Sequence, residues 1–414
     1  MKISIKKSCI TPVVPSYLSG QINRIEKHTS VLDDLFCYVL VMEHNGNKIC
    51  MLQYDLLQFD DYLSNRIRNH VKDELNISFE SVFTIPSHTH AAPEVLRDGL
   101  FGIKTESNVA EGYLDFLVDV SVKTALVAND TLIESDLSYS EYAIDGYYGN
   151  RNNKNNPADK KIRFVQFKAN NNTLGMLVNL SCHPTVLGQT NTQISADLFG
   201  YIRKGLEERY NCPVFMSNGA EGDISNRHYR LSDDVNELIR TGKGILEQIP
   251  STLVFNDFKS VNLKIYTKQF NFHCFNDTKR LEEAIQRNNQ LILQSSDKDQ
   301  LKILNATNTV LYHQIKKNID DILSISYSII QLGDVFIVTV PMELFSSLYL
   351  KIDQTNPVLL FGLTNTSVGY CADELSYDST YEGLTSPFIK GEGERFIQEI
   401  NKELSQIRRR LESI

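Results

Sequence analysis

Alternation of strand-length apolar runs with helical patterns is the feature that most constrains how this chain folds. The runs are rich in Val, Ile, Phe and Tyr, and several are apolar throughout, as strands covered on both faces are. They occupy residues 36–42, 48–54, 82–85, 162–167, 176–180, 213–216, 335–340 and 357–363. Helical patterns lie between them, at residues 60–75, 110–128 and 195–210. This order predicts an α/β fold with a mixed β-sheet core and flanking helices.

Residues 277–323 have a different pattern from the rest of the chain. They are polar, almost free of Gly and Pro, and carry Leu and Ile at helical spacing. We interpret them as a helical hairpin that turns near residues 295–297 and is inserted between sheet segments. A strut or a dimer surface is a more common role for such a hairpin than a catalytic one. We therefore expect one domain over residues 1–414, with a helical insertion at about 277–323 and the capacity to form a homo-oligomer.

Composition and charge exclude several classes of protein. The chain has 42 Lys and Arg against 51 Asp and Glu, a formal charge of -9, which argues against a nucleic-acid-binding surface. It contains no run of about 18 apolar residues, so no transmembrane segment is expected, and the N-terminus lacks a signal-peptide pattern. The seven cysteines are scattered without a CxxC pair, which disfavours a thiolate zinc site and suits a reducing compartment. We expect a cytoplasmic protein.

Two histidines follow the apolar run at residues 82–85, in the segment SHTHAAP. Residues two apart in an extended chain point to the same side, so His88 and His90 are expected to share a face at a strand end. Two imidazoles together suit a divalent metal, above all zinc. The alternative is a pair of hydrogen-bonded histidines that stiffens a loop.

A third histidine, His183, follows the apolar run at residues 176–180. The next residue, Pro184, favours an extended backbone at His183. A lone histidine of this kind is more often structural than ligating. Because ligands of open α/β sheets collect at strand ends, however, His183 is a candidate to meet His88.

A polar loop, SNGAEGDISNR, follows the apolar run at residues 213–216. It is ordinary turn chemistry in one interpretation. In another it offers Ser225 as a nucleophile or oxyanion donor, with Asp223 to orient it. The GxSxG elbow of α/β-hydrolases is absent from the sequence. Later strand ends carry two further candidates, Glu343 in PME and Tyr370 in NTSVGY.

Taken in order, these segments resemble the motifs of the neutral (non-lysosomal) ceramidase family, in the form of its catalytic domain without the C-terminal immunoglobulin-like domain. That family shares an HTHxxP histidine pair, a later strand-end histidine, a GD(V/I)S loop, a PxE strand end, an Asn-led segment with a tyrosine, and a Tyr-Glu-Gly step. The corresponding segments here read HTHAAP, CHPT, GDIS, PME, NTSVGY and YEG, and Asn150-Arg151 also matches. The motifs are short, but six of them in collinear order are far more specific than any one.

The resemblance implies a single zinc ion held by His88, His183, Glu343 and Tyr370. It places His90 near the substrate instead of on the metal. Spacing alone would have made both His88 and His90 ligands, so this assignment depends on the family.

The resemblance also implies roles for the remaining motif residues. Ser225 aligns with the proposed nucleophile and Asp223 stands beside it, while Arg151 and Tyr381 contact the polar head of the substrate or the developing oxyanion. An unactivated serine is a weak nucleophile, so Ser225 needs a metal-activated hydroxide or His90 as its base.

These observations predict a zinc-dependent hydrolase that cleaves an amide (N-acyl) bond. The family usually carries an export signal, and its GDxSPN loop reads GDISNR here, so we expect a soluble small molecule before a lipid-like one. One alternative is a zinc hydrolase that acts on an ester or glycosidic-type bond. Another is a non-catalytic metal-binding scaffold.

Overall fold

The computed structural model describes residues 1–21, 24, 26–98, 111–170, 172–275, 277–316 and 321–412. Its strands, numbered in chain order, are β1 Lys2–Cys9, β2 Ser30–Val31, β3 Phe36–His44, β4 Asn47–Tyr54, β5 Val82–Pro86, β6 Ile133–Glu134, β7 Asp136–Ala143, β8 Gly149–Asn150, β9 Lys161–Ala169, β10 Asn172–Leu180, β11 Gln193–Ile194, β12 Val214–Asn218, β13 Ile224–Ser225, β14 Asn256–Asp257, β15 Leu263–His273, β16 Ile322–Leu332, β17 Val335–Thr339, β18 Glu343–Leu344, β19 Val358–Phe361 and β20 Tyr370–Cys371. The helices are α1 Asp61–Leu75, α2 Glu111–Asp130, α3 Asp197–Tyr210, α4 Val235–Gln248, α5 Thr278–Gln294, α6 Lys298–Ile315, α7 Ser346–Tyr349, α8 Tyr381–Thr385 and α9 Glu392–Glu412. The predicted α/β class with a mixed sheet core is confirmed.

Three of the sheets form the body of the fold, in the orders β5-β4-β3-β1-β6, β12-β10-β9-β7-β14 and β15-β16-β17-β19. Each contains antiparallel neighbours and one parallel pair. The parallel pairs are β4 with β5, β10 with β12, and β17 with β19. Parallel neighbours end at the same edge of their sheet, so each sheet presents two adjacent carboxyl-terminal strand ends.

Apolar side chains from all three sheets meet in one buried cluster. Leu40 of β3, Phe167 of β9 and Ile337 of β17 are members of it, and each is fully buried. The opposite faces are covered by helices, α1 and α2 on the first sheet, α3 and α4 on the second, and α9 on the third. Strands with both faces covered are apolar throughout, which explains the continuous apolar runs of the sequence.

The observed helix starts differ slightly from the predicted ones, and side chains explain the difference. Asp60 caps α1, because its carboxylate accepts a hydrogen bond from the backbone amide of Leu63. Ser195 lies before α3, and its Oγ accepts a hydrogen bond from the backbone amide of Asp197. The first residue predicted for α2, residue 110, lies outside the described residues.

Two antiparallel helices, α5 and α6, occupy most of the segment interpreted as a helical hairpin. Leu281, Ala284 and Ile285 of α5 pack with Leu311 of α6 and with Leu384 of α8. The hairpin therefore lies on α8, a short helix that begins at Tyr381. The assignment of residues 1–414 to one domain stays a prediction. Across the described residues, no helix is both long and apolar enough to span a membrane.

A buried ion pair ties the first sheet to α3. Arg203 donates from Nη1 to Asp55 Oδ1 (2.8 Å) and from Nη2 to Asp55 Oδ2 (2.6 Å). The side chain of Asp55 is 0% exposed and that of Arg203 is 3% exposed. Asp55 directly follows β4, and its Oδ2 also accepts from the backbone amide of Phe36. The pair fixes the loop that leaves β4.

Removing one partner of this pair leaves a buried charge uncompensated. We expect Asp55→Ala to lower the free energy of unfolding by roughly 3–5 kcal/mol. Glu247→Gln is the control, since it removes an exposed ion pair with Lys243 and is expected to change stability by about 0.5 kcal/mol or less. Denaturant titration followed by circular dichroism measures both, and equal losses would contradict the prediction.

Candidate metal centre

Most residues singled out in the sequence lie beyond the ends of the parallel strands, while Arg151 follows β8 and Tyr381 begins α8. The loop after β5 carries His88 and His90, the loop after β10 carries His183, and the loop after β12 leads to Ser225. Glu343 and Tyr370 follow β17 and β19. These loops surround a cavity of about 200 Å³. Seven of the predicted site residues line it, namely His88, His90, Arg151, Ser225, Glu343, Tyr370 and Tyr381.

Three histidines cluster at this cavity, where His88 and His90 line the wall and His183 packs against His88. The ring of His88 lies 4.9 Å from that of His90 and 4.8 Å from that of His183, measured between centroids. The potential ligand atoms of all three lie within 4.8 Å of one another. This buried group could hold a metal ion.

The two rings of the SHTH segment meet for a reason other than the predicted one. The segment was expected to be extended, with alternate side chains on one face. His88 instead has a φ of 71°, in the left-handed region. A non-glycine residue in that region costs on the order of 1–3 kcal/mol and often marks a functional site.

Backbone carbonyls fix the tautomer of every histidine in the cluster. Nδ1 of His88, His90 and His183 lies 2.8, 2.8 and 2.7 Å from a carbonyl oxygen. The carbonyls belong to Leu57, Gly20 and Glu221, respectively. A carbonyl oxygen accepts only, so Nδ1 carries the proton and Nε2 of a neutral ring carries a lone pair. Metal-ligating histidines are oriented in this way in many proteins.

The lone pairs of this group face one another. His183 Nε2 lies 3.0 Å from Glu343 Oε2, and His88 Nε2 lies 3.5 Å from the same oxygen. Although His183 Nε2 and Glu343 Oε2 are close, neither has a hydrogen-bond partner among the residues that the structure describes. Burial lowers the pKa of His183 to about 3, so its ring is neutral at neutral pH. The group consists of acceptors that a shared cation would satisfy.

The spacing of these atoms fits a tetrahedral zinc site. Ligand atoms at 2.0–2.1 Å from zinc in tetrahedral geometry lie about 3.3 Å from each other. The separations of 3.0 and 3.5 Å around Glu343 bracket this value. The 3.4 Å between His88 Nε2 and His90 Nε2 is close to it as well. Two donor sets are therefore compatible with the geometry, one with His90 and one without it.

Glu343 and Tyr370 enter the cavity side by side. They are paired residues of the short parallel bridge between β18 and β20. The ring of Tyr370 is stacked on that of His183 at 6.4 Å between centroids. Burial raises the pKa of Tyr370 well above its usual range even with Arg151 nearby, so its phenol is neutral unless a metal cation binds its oxygen. The four ligands implied by the family resemblance are thus neighbours in space.

Arg151 is held in place beside Tyr370 by a buried partner. Its Nε lies 2.6 Å from Glu382 Oε1, and its Nη2 donates to the carbonyl of Gly222 at 2.8 Å. Burial acts to lower the pKa of Arg151, but Glu382, Tyr370 and Glu343 together outweigh it and the pKa is raised. Tyr381, next to Glu382 in sequence, has its ring 5.9 Å from that of Tyr370.

Ser225 and Asp223 are close in sequence but differ in their contacts. Ser225 Oγ accepts a hydrogen bond from the backbone amide of Arg227 at 3.2 Å and lies at the cavity. The carboxylate of Asp223 accepts from the backbone amide of Ser346 (2.7 Å) and from Asn150 Nδ2 (2.8 Å). Within the described residues, its side-chain hydrogen bonds go to these groups and not to Ser225. Burial raises the pKa of Asp223 to about 7.

Several residues at the cavity were not singled out in the sequence. Glu382 lies behind the wall as the charge partner of Arg151, and Asn226 lines the cavity with a buried Nδ2 that has no hydrogen-bond partner within the described ranges. Helix α6 contributes Lys302, Ile303 and Ala306 to the wall. The hairpin pattern favoured a strut or dimer surface, and nothing in it distinguished these residues from an ordinary polar face. The YEG motif contains Glu382, so proximity to Tyr381 was the one available signal.

Comparison with known proteins identifies the fold. No protein-family model matches the chain, and no curated protein matches it. A neutral ceramidase from Pseudomonas aeruginosa matches with a TM-score of 0.76 and 15% identity, over 99% of this chain and 74% of its own. A ceramidase complexed with C2 matches with a TM-score of 0.75 and 13% identity, over 99% of this chain and 75% of its own. The chain therefore has the fold of the neutral ceramidases, which its motifs resembled.

Proposed function

We propose that this protein is a zinc-dependent hydrolase that cleaves an amide (N-acyl) bond in a small soluble substrate. The observation that carries the proposal is the group of buried imidazole lone pairs gathered around Glu343 Oε2 beside a cavity. The fold adds support, because the two matching structures described above are named ceramidases, and a ceramidase cleaves the amide bond of ceramide.

In this proposal, His88, His183, Glu343 and Tyr370 hold one zinc ion. Two imidazoles, a carboxylate and a phenol offer nitrogen and oxygen ligands, which suit zinc. With zinc bound, these four residues would hold a Lewis acid at the carbonyl of the substrate.

Ser225 and His90 are proposed to carry out the nucleophilic step. Both line the cavity, and Ser225 is positioned by the amide of Arg227. Nδ1 of His90 donates to the carbonyl of Gly20, so its Nε2 is the nitrogen that accepts a proton. Burial and the neighbouring His88 and His183 lower the pKa of His90 well below its usual range, so Nε2 is unprotonated at neutral pH and its lone pair is available to a proton.

Arg151 and Tyr381 are proposed to stabilise the oxyanion that develops on the substrate carbonyl. Arg151 has a fixed orientation because Glu382 and the carbonyl of Gly222 hold it. A donor fixed in advance needs no reorganisation when charge develops. Asp223 is proposed to act as a positioning residue, since its carboxylate braces Asn150, which precedes Arg151.

The first test compares bond types. Zinc-loaded protein is expected to hydrolyse short N-acyl amides, with far lower or no turnover of aryl glycosides. Simple esters are the second arm, because a site that attacks amides attacks esters of matched acyl length as well. Release of free amine measures the amide reaction. Turnover of esters or glycosides without any amide would show that the bond assignment is wrong, and a zinc-loaded protein without any turnover would favour the scaffold.

The second test separates the two donor sets. We expect His183→Ala to lower zinc affinity by more than the roughly 10–100-fold that loss of an outer partner costs. Tyr370→Phe is expected to weaken binding more than His90→Ala does. Competition with a chromophoric chelator and metal content after dialysis measure these effects.

The control for this test is His70→Ala, which removes an exposed histidine of α1. It is expected to bind zinc as the unsubstituted protein does. If His90→Ala loses zinc as fully as His183→Ala while Tyr370→Phe retains it, the three histidines are the ligands and the proposed set is wrong.

A further inference from the structure

The cavity is lined by cationic side chains beyond those that the proposed function uses. Arg227, Arg230 and Lys302 all contribute to its wall. Glu343 is the only acidic residue among the described residues that line the cavity, and its carboxylate faces the histidines. The chain as a whole carries a formal charge of -9. A basic cavity in an acidic protein is a local feature that needs its own explanation.

The loop that follows Ser225 carries Arg227 and Arg230, and Arg227 also lies near Arg151. The pKa of Arg227 is lowered to about 10, first by burial and then by the charge of Arg151; Glu382 opposes this effect, and Arg230 adds to it. The guanidinium therefore stays charged at neutral pH. Its Nη1 donates to the carbonyl of Arg151 at 3.3 Å. Like charges brought together in a partly dehydrated site are costly, and an anion between them offsets that cost.

Asn226 offers a neutral hydrogen-bond donor, which also suits an anionic ligand. Nδ2 of Asn226 is buried, lines the cavity and has no hydrogen-bond partner within the part of the chain that the structure describes. An unsatisfied buried donor costs about 1–3 kcal/mol, so it is normally paired with an acceptor. An acceptor in the ligand, next to Arg227 and Ser225, satisfies it.

The helical hairpin adds one more charge and an apolar surface. Lys302 comes from α6, far in sequence from the arginine loop, and its neighbours Ile303 and Ala306 line the same cavity. Leu57 adds a further apolar contact. The cavity of about 200 Å³ therefore combines a cationic region with a modest apolar one. This combination fits a short acyl group that is linked to a charged polar part.

We propose that the substrate of this hydrolase carries an anionic group, a carboxylate or a phosphate, which Asn226, Arg227, Arg230 and Lys302 bind. The inference rests on the proposed amide hydrolysis and names the class of N-acyl compound that the site takes. The hairpin is then a specificity element that supplies Lys302 to the substrate.

The test uses pairs of compounds that differ in the anionic group alone. N-hexanoylglycine is compared with N-hexanoylglycinamide, and N-hexanoylethanolamine phosphate with N-hexanoylethanolamine. Hexanoate release by the zinc-loaded protein gives kcat/KM for each. We expect at least one anionic member to exceed its neutral partner about tenfold. The pair with the larger ratio identifies the anion as carboxylate or phosphate.

Variants assign this preference to the cationic residues. Arg227→Gln and Lys302→Gln are each expected to reduce the anionic-to-neutral ratio of kcat/KM about tenfold, through a higher KM for the anionic member. Lys279→Gln removes a charge from an exposed position on α5 and is expected to leave the ratio unchanged. Thermal unfolding of each variant controls for loss of structure. A ratio near one in the unsubstituted protein overturns the inference and leaves amide hydrolysis standing.

If no amide is hydrolysed, the proposed function is wrong. The inference of an anionic substrate site is then tested by ligand binding. Calorimetry gives the Kd of N-hexanoylglycine and of N-hexanoylethanolamine phosphate for the zinc-loaded protein. Binding of either anion about tenfold weaker in Lys302→Gln than in Lys279→Gln supports the anionic site. Equal affinity in both variants, or no binding of either compound, overturns it.

Discussion

Parallel strand pairs end at a common sheet edge, and the candidate site depends on this constraint. Each of the three main sheets contains one such pair, and the loops that leave these pairs carry the histidines, Ser225, Glu343 and Tyr370. Residues that are hundreds of positions apart in sequence thereby meet at one cavity. The buried pair of Asp55 and Arg203 joins the first of these edges to α3. Sheet topology therefore brings the site residues together, and the identity of the side chains then determines the chemistry.

Main-chain carbonyls, not side chains, orient the three imidazole rings and fix their tautomers. Each of the three rings donates Nδ1–H to a carbonyl, so the loops that supply those carbonyls determine which nitrogen faces the cavity. The loop at Gly20 shows how close this packing is. Its φ is +89°, and a Cβ built there would lie 2.5 Å from Nδ1 of His90. A side chain at this position would displace the ring whose proton the carbonyl of Gly20 fixes.

The sequence predicted the buried strands well and the half-exposed ones poorly. The predicted runs correspond to β3, β4, β5, β9, β10, β12, β17 and β19. The missed long strands, β1, β7, β15 and β16, alternate apolar and polar residues, and a search for continuous apolar runs passes over them. The site motifs were found because they stand at the ends of the predicted strands. Glu382, Asn226 and Lys302 were not predicted as site residues, because their roles depend on contacts between distant segments of the chain.

The positions of the candidate donors favour a role for His90 that differs from that of His88 and His183. Glu343 Oε2 lies 3.0 Å from Nε2 of His183 and 3.5 Å from Nε2 of His88, so these three groups form a compact triangle. His90 touches this triangle through His88, and its ring centroid is 5.9 Å from that of His183, compared with 4.8 Å between His88 and His183. His90 also lines the cavity, whereas His183 lies behind it. A nitrogen at the edge of the donor group suits proton exchange with a substrate or with Ser225, while the groups that meet around Glu343 Oε2 suit permanent ligands.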